Sequence, residues 1–128
     1  MRKMMMTAAF LVASVATANA GEMAGGAVMA TEAGGNAILT DAEGMTLYTF
    51  DKDEAGTSNC YDACAENWPP LMADEGAAAT GDFSLVERKD GSLQWAYKDA
   101  PLYLWVKDAK AGDMTGDGVK GVWHTAVK

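Results

Sequence analysis

The sequence predicts a small, mainly all-β domain built from two similar strand-rich units, and three observations predict it. A motif is written twice: Leu47-Tyr48-Thr49-Phe50-Asp51-Lys52-Asp53 and Leu102-Tyr103-Leu104-Trp105-Val106-Lys107-Asp108, each Tyr-x-aromatic-x-x-Asp. A Trp follows each Tyr at 20 positions, so Tyr48 and Trp68 stand 55 positions before Tyr103 and Trp123. Self-similarity at fixed spacing marks a structural unit used twice. No window carries a long helical period, and runs rich in Thr, Tyr, Val and Phe alternate with Asp/Gly turns, as strands do.

The elements follow in order. Arg2 and Lys3, then the uncharged run Met4 to Ala18, then Ala18-Asn19-Ala20, form the n-region, h-region and cleavage site of a secretory signal peptide over residues 1–20. The apolar run is too short and too poorly flanked to be a membrane span. Residues 21–26 are small and predict a flexible leader. Residues 27–128 form the single domain, with units of about 27–75 and 81–128. Val28 and Met29 start a strand before a Gly34-Gly35 turn. Ala37–Thr40, the turn Asp41–Gly44 and Met45–Phe50 read as strand, turn, strand. Phe83–Glu87, Lys89–Ser92 and Leu93–Tyr97 repeat that layout, with Asp90-Gly91 as the hairpin signal. Pro101 opens a strand, Leu102–Val106, because it cannot donate to a ladder. Val122–Val127 is the last strand. One short helical turn fits at Tyr61–Asn67, near Cys60 and Cys64, capped by Ser58 or Asn59 and ended by Pro69. Gly76–Thr80 links the two units. Alternation places Leu47, Thr49 and Asp51 opposite Tyr48 and Phe50; in the second copy both faces are apolar, which predicts a central strand.

Charge narrows the partners. Without Arg2 and Lys3, eight basic residues face 18 acidic ones, a net −10 with His neutral. Such a body repels phosphate backbones and anionic lipid, so no nucleic acid and no anionic membrane surface is expected, and solubility is the simplest use of the charge.

The candidate residues carry competing readings. Tyr48, Phe50, Tyr103 and Trp105, with Trp68 and Trp123, either line a ligand groove or form the core, where aromatics supply most buried area. Asp53 and Asp108 close each motif; an Asp there accepts backbone N–H bonds and fixes the turn. Cys60 and Cys64, in an exported chain, read as a disulfide. The aligned positions of the second unit are Thr115 and Val119, so the fold does not need the link. The functional alternative is a periplasmic copper or thiol-redox site of the Cys-x-x-x-Cys kind with His124, the one histidine, and a Met from Met23, Met29, Met45, Met72 or Met114 as further ligand. Redox pairs of the thioredoxin kind have two intervening residues, against three here. Asp113-Met114-Thr115-Gly116-Asp117-Gly118 starts like a calcium loop, but its twelfth position is His124, where a bidentate Glu is required, so it reads as a Gly-rich turn. No nucleophile motif, phosphate loop or dinucleotide fingerprint is present, and no catalytic residue and no cofactor is predicted.

The two motifs, with Cys60-Tyr61-Asp62-Ala63-Cys64 and Trp68-Pro69-Pro70-Leu71, resemble a bacterial family of secreted or lipoprotein repeats defined by Tyr-x-(Phe/Trp/Tyr)-x-x-Asp. The resemblance covers about Ala27 to Val127 and implies fold and compartment but no activity. Lipoproteins of that family need a Cys at the first mature position; Gly21 stands there, so a soluble periplasmic or secreted product without a stable membrane anchor is expected. The reading favoured for such a chain is a non-enzymatic module that binds an envelope component or a small ligand. Relatives associated with the use of apolar compounds such as alkanes would make an aromatic groove suitable for an apolar molecule.

Overall fold

The computed structural model describes residues 22–128; the expected signal peptide and its expected cleavage after Ala20 lie outside the described residues. The chain is mainly β. Strands β1 (Glu22–Met23), β2 (Val28–Ala33) and β3 (Asn36–Asp41) form one antiparallel sheet. Strand β4 (Tyr48–Phe50) leads to helix α1 (Ala63–Asn67). Then β5 (Phe83–Glu87), β6 (Leu93–Tyr97) and β7 (Ala100–Pro101) form a second sheet, and β8 (Trp123–Thr125) returns to pair with β4. No helix among the described residues is long and apolar enough to cross a membrane.

Two hairpins anchor the units. In β2–β3, Gly34 and Gly35 both have positive φ (60° and 88°), the condition for a tight two-residue turn whose twist matches the strands. In β5–β6, Gly91 has φ 88°, and Asp90 accepts the N–H and hydroxyl of Ser92 on one oxygen. The hairpin equivalent to β5–β6 is therefore β2–β3, not residues 37–50 as the turn signals suggested. The hairpins lie 56 positions apart (Gly35 and Gly91) while the motifs lie 55 apart, so one extra residue sits between β3 and β4.

The units interlock. Leu39 N–H bonds Ala126 C=O, Ala126 N–H bonds Leu47 C=O, and Leu47 N–H bonds Leu39 C=O, a closed ring of three backbone bonds of 2.8 to 3.0 Å. Trp95, Leu71 and Leu102 make the same ring in the other half: Trp95 N–H to Leu71 C=O, Leu71 N–H to Leu102 C=O, Leu102 N–H to Trp95 C=O. In each ring two residues come from one unit and the third from the other unit's C-terminal segment. Each unit thus lends its last segment to its partner, and the β4–β8 pairing is one half of that exchange. Asn67–Pro70 is the other half: Leu104 and Val106 donate to Pro69 and Asn67 C=O.

The core has two layers. The first layer, mostly aliphatic with two aromatic rings, holds Val28, Leu39, Leu47, Leu71, Phe83, Trp95 and Leu102. The aromatic layer holds Tyr48, Cys60, Trp68, Tyr103 and Trp123. Alternation sends each motif Leu to the first layer and each motif Tyr to the second, so both motifs are buried on both faces, not the second alone.

Four expectations need correction. The leader is not free: Glu22 and Met23 pair with Met29 and Val28, and Ala24 is buried, because the edge of β2 offers backbone partners that need no side-chain pattern. The second motif is not a ladder strand. Tyr103 bridges Tyr48 on one side and Pro70 on the other, so its backbone bonds alternate between neighbours. The strands expected at 45–50 and 122–127 shorten to β4 and β8 for the same reason. Helix α1 begins after Asp62 with no side-chain cap; Ser58 and Asn59 bond elsewhere.

Candidate functional site

The 55-residue offset becomes a spatial pairing. Tyr48 and Tyr103 face each other across the exchange, each backbone N–H donating to the other's C=O at 2.8 and 2.9 Å, the closely spaced antiparallel pair. Their side chains cross over. Tyr48 Oη donates to Asp108 Oδ2 at 2.6 Å, and Tyr103 Oη donates to Asp53 Oδ2 at 2.7 Å. Each motif Tyr is held by the Asp of the other motif. The remaining carboxylate oxygens fix the turns, as expected of an Asp there: Asp53 Oδ1 accepts Asn59 N–H, and Asp108 Oδ1 accepts Thr115 N–H and Oγ1–H. Burial, then the bond to Asp108, pushes the Tyr48 phenol well above its ordinary range; burial does the same to Tyr103. Burial also raises the Asp53 carboxyl, against the pull of Tyr103, Asn59 and the Arg88 charge.

The aromatics form a column. Phe50 stacks on Trp123 (4.2 Å between centroids), Trp123 on Trp68 (3.8 Å, 2° between planes) and Trp68 on Trp105 (3.9 Å). Tyr48 and Tyr103 meet Trp68 and Trp123 edge-on at 5.4 and 5.2 Å. Gly116 lies against this column: a Cβ there would stand 2.8 Å from Trp68 Cη2. Trp68, Trp123, Tyr48 and Tyr103 are buried, so the expected aromatic surface shrinks to its ends, Phe50 and Trp105, which are partly exposed. The reason is hydrophobic: these rings supply the largest apolar areas of a small chain.

Sequence reasoning missed a buried polar chain. Arg88 donates to Ser58 Oγ (3.1 Å), Gln94 Oε1 (2.8 Å) and Cys60 C=O (2.7 Å), and its guanidinium lies over the Tyr61 ring. Ser58 meets Tyr103 Oη at 2.6 Å, which continues the chain to Asp53. Every buried polar group here has a partner, and the chain ends on a carboxylate. Gln94, a lone polar residue inside an apolar strand, was the available signal.

Cys60 and Cys64 are bonded to each other, with Cα atoms 5.2 Å apart. The copper alternative finds no support. His124 lies on the exposed face of β8, opposite Trp123, and its Nε2 meets Asp51 Oδ2 at 2.8 Å. The described residues hold no cluster of three His, Cys, Asp or Glu suited to a metal.

A groove of about 330 Å³ opens beside the column, lined by Phe50, Trp68, Trp123, Cys64, Lys52 and Lys120. It runs between α1 and the short 3-10 turn Val119–Gly121. Lys120 has φ 54°, a left-handed conformation that costs a side chain about 1–2 kcal/mol. Neither lysine is ion-paired among the described residues. A wider depression, about 750 Å³, lies between the N-terminal turn and the 74–80 connector; its lining is mostly Gly and Ala and offers few orienting groups.

A family model described as a secreted repeat of unknown function matches the chain twice, over residues 28–72 and 84–127. These spans start 56 positions apart and end 55 apart, the offsets of the hairpins and of the motifs. No curated protein and no solved structure matches the chain.

Proposed function

The chain belongs to this family of secreted repeats, and from that premise we propose that it acts after export as a non-enzymatic binding module. Its ligand is a small molecule with an apolar or aromatic body and an anionic group, held in the groove between α1 and the Val119–Gly121 turn. One observation carries the reading: the groove brings Lys52 and Lys120, neither ion-paired among the described residues, against the aromatic column. The fold asks both units for the same motif, hairpin and Trp. It does not ask for Cys64 or Lys120, whose equivalents 55 positions away are Val119 and Ala65. Lys120, held in a left-handed conformation at the groove wall, fits a binding role. Lys52 and Lys120 place two positive charges at the groove wall, and charges more than about 8 Å away are largely screened there. The motif hydroxyls and carboxylates bond one another in the core, which supports binding without turnover.

The acidic surface supports a partner other than nucleic acid or anionic membrane. Export through the signal peptide fits a periplasmic or released product. Its intact mass should match residues 21–128, and a diacylglyceryl adduct would contradict that.

Titration with anilinonaphthalene sulfonate, a planar aromatic anion, tests the groove through tryptophan fluorescence. Saturable one-to-one binding is expected. Lys52→Glu with Lys120→Glu should weaken it by about tenfold or more, ~1.4 kcal/mol. Equal affinity in the double variant, or no saturable binding to the unmodified protein, refutes the reading.

A further inference from the structure

We propose that the aromatic column is a path for oxidising equivalents, running from the partly exposed Trp105 to the buried Tyr–Asp pairs, where the equivalent is held as a neutral tyrosyl radical. Three indoles and one phenyl ring stack in register, with the central pair almost parallel at 3.8 Å. Ring quadrupoles favour offset or edge-on pairs at about 4.5–7 Å over a face-to-face sandwich. Electrostatics therefore does not ask for this column, whereas overlap between π systems is greatest in such an arrangement. Indole is the most easily oxidised uncharged side chain apart from sulfur and phenol groups, and three of the four tryptophans sit in the column.

The column has a proton-coupled end. Tyr48 meets Trp68 edge-on, and its phenol already points its proton at Asp108 Oδ2, 2.6 Å away. Tyr103 stands in the same relation to Trp123 and Asp53. Burial opposes simple ionisation of both phenols, so neither loses its proton ahead of its electron. Loss of an electron makes a phenol strongly acidic, and the waiting carboxylate accepts the proton without rearrangement. A diffusible one-electron oxidant takes an electron at Trp105 and is reduced. The electron hole moves to Trp68. Tyr48 refills Trp68 with one electron and passes its proton to Asp108, leaving a tyrosyl radical and a neutral carboxyl group.

The test is flash photolysis of the exported protein with a photo-oxidised ruthenium polypyridyl complex as the oxidant, followed by transient absorption and electron paramagnetic resonance. An indole radical should appear first and decay into a tyrosyl radical, and the decay should slow several-fold in deuterated water. Tyr48→Phe with Tyr103→Phe should abolish the tyrosyl signal and leave the indole radical long-lived. Asp53→Asn with Asp108→Asn keeps an acceptor but removes the base, and should slow the transfer several-fold in a protein whose fold is checked by near-ultraviolet circular dichroism. Tyr61→Phe with Tyr97→Phe should change nothing. A tyrosyl signal that survives in the first variant, or is lost in the last, overturns the proposal. So does a decay without isotope effect that is unchanged by the Asp substitutions.

Discussion

Replacing Tyr48 by Phe removes one oxygen atom and tests the crossed pairing directly. The ring remains, so the edge-on contact with Trp68 and the backbone pair with Tyr103 persist. Two bonds are lost: the one to Asp108 Oδ2 and the 3.2 Å bond accepted from Gly116 N–H. A hydrogen bond to a charged group contributes about 1.5–3 kcal/mol, and a buried donor left without partner costs about 1–3 kcal/mol. Asp108 keeps Thr115 on its other oxygen, which limits the damage. The expected loss is therefore about 2–4 kcal/mol, or roughly 10–20 °C in Tm for a domain of this size. Urea denaturation followed by near-ultraviolet circular dichroism measures it. A double-mutant cycle with Asp108→Asn should give a coupling of about 1–3 kcal/mol. Because Tyr48 and Asp108 belong to different units, probes placed in each unit should report one shared transition. A loss below about 0.5 kcal/mol, additive single variants, or two separate transitions would refute the crossed arrangement.

Gly116→Ala should destabilise by about 1–3 kcal/mol, since its Cβ would overlap Trp68 and Tyr48 ring atoms; an equal Tm would show the column is not packed against that backbone. Replacing Cys60 and Cys64 by Ala should cost about 2 kcal/mol or less and preserve the fold, because the closed loop is short; unfolding of the variant at room temperature would contradict this. The raised Asp53 carboxyl means the native state holds that proton more tightly than the unfolded chain, so this group's contribution to stability falls as pH rises from the ordinary carboxylate range through its folded pKa. Asp53→Asn should remove that limb from a stability–pH curve; an unchanged curve would place the burial elsewhere.

The sequence made the units and their aromatics legible because the period of the motif survives in both copies, and alternation then assigned Leu47 and Leu102 to one layer and Tyr48 and Tyr103 to the other. It did not make the exchange legible. Strand pairing reads only the alternation of a partner, which does not say whether Pro69–Met72 or His124–Val127 lies beside a given motif. The anchoring of Glu22 and Met23 escaped because a backbone ladder leaves no side-chain pattern in small residues. Lys52 and Lys120 are 68 positions apart and carry no local motif, so only folding brings them to one groove. An Asp closing each motif is legible as a turn-fixing group, yet Asp53 and Asp108 each have a second oxygen whose partner lies in the other unit, beyond any local rule.

The two three-membered backbone rings have a consequence for how such a chain tolerates change. A protein whose halves each complete the other has the contacts of a two-fold dimer, in which both subunits must keep every residue because one gene encodes both faces. Joining the halves through the 74–80 connector replaces subunit encounter by an effective concentration of roughly millimolar, set by tether length and independent of expression level. It also releases each half from the other's sequence. A disulfide can then staple one half alone, a strained lysine can settle in the other, and the scaffold bears both without building either twice.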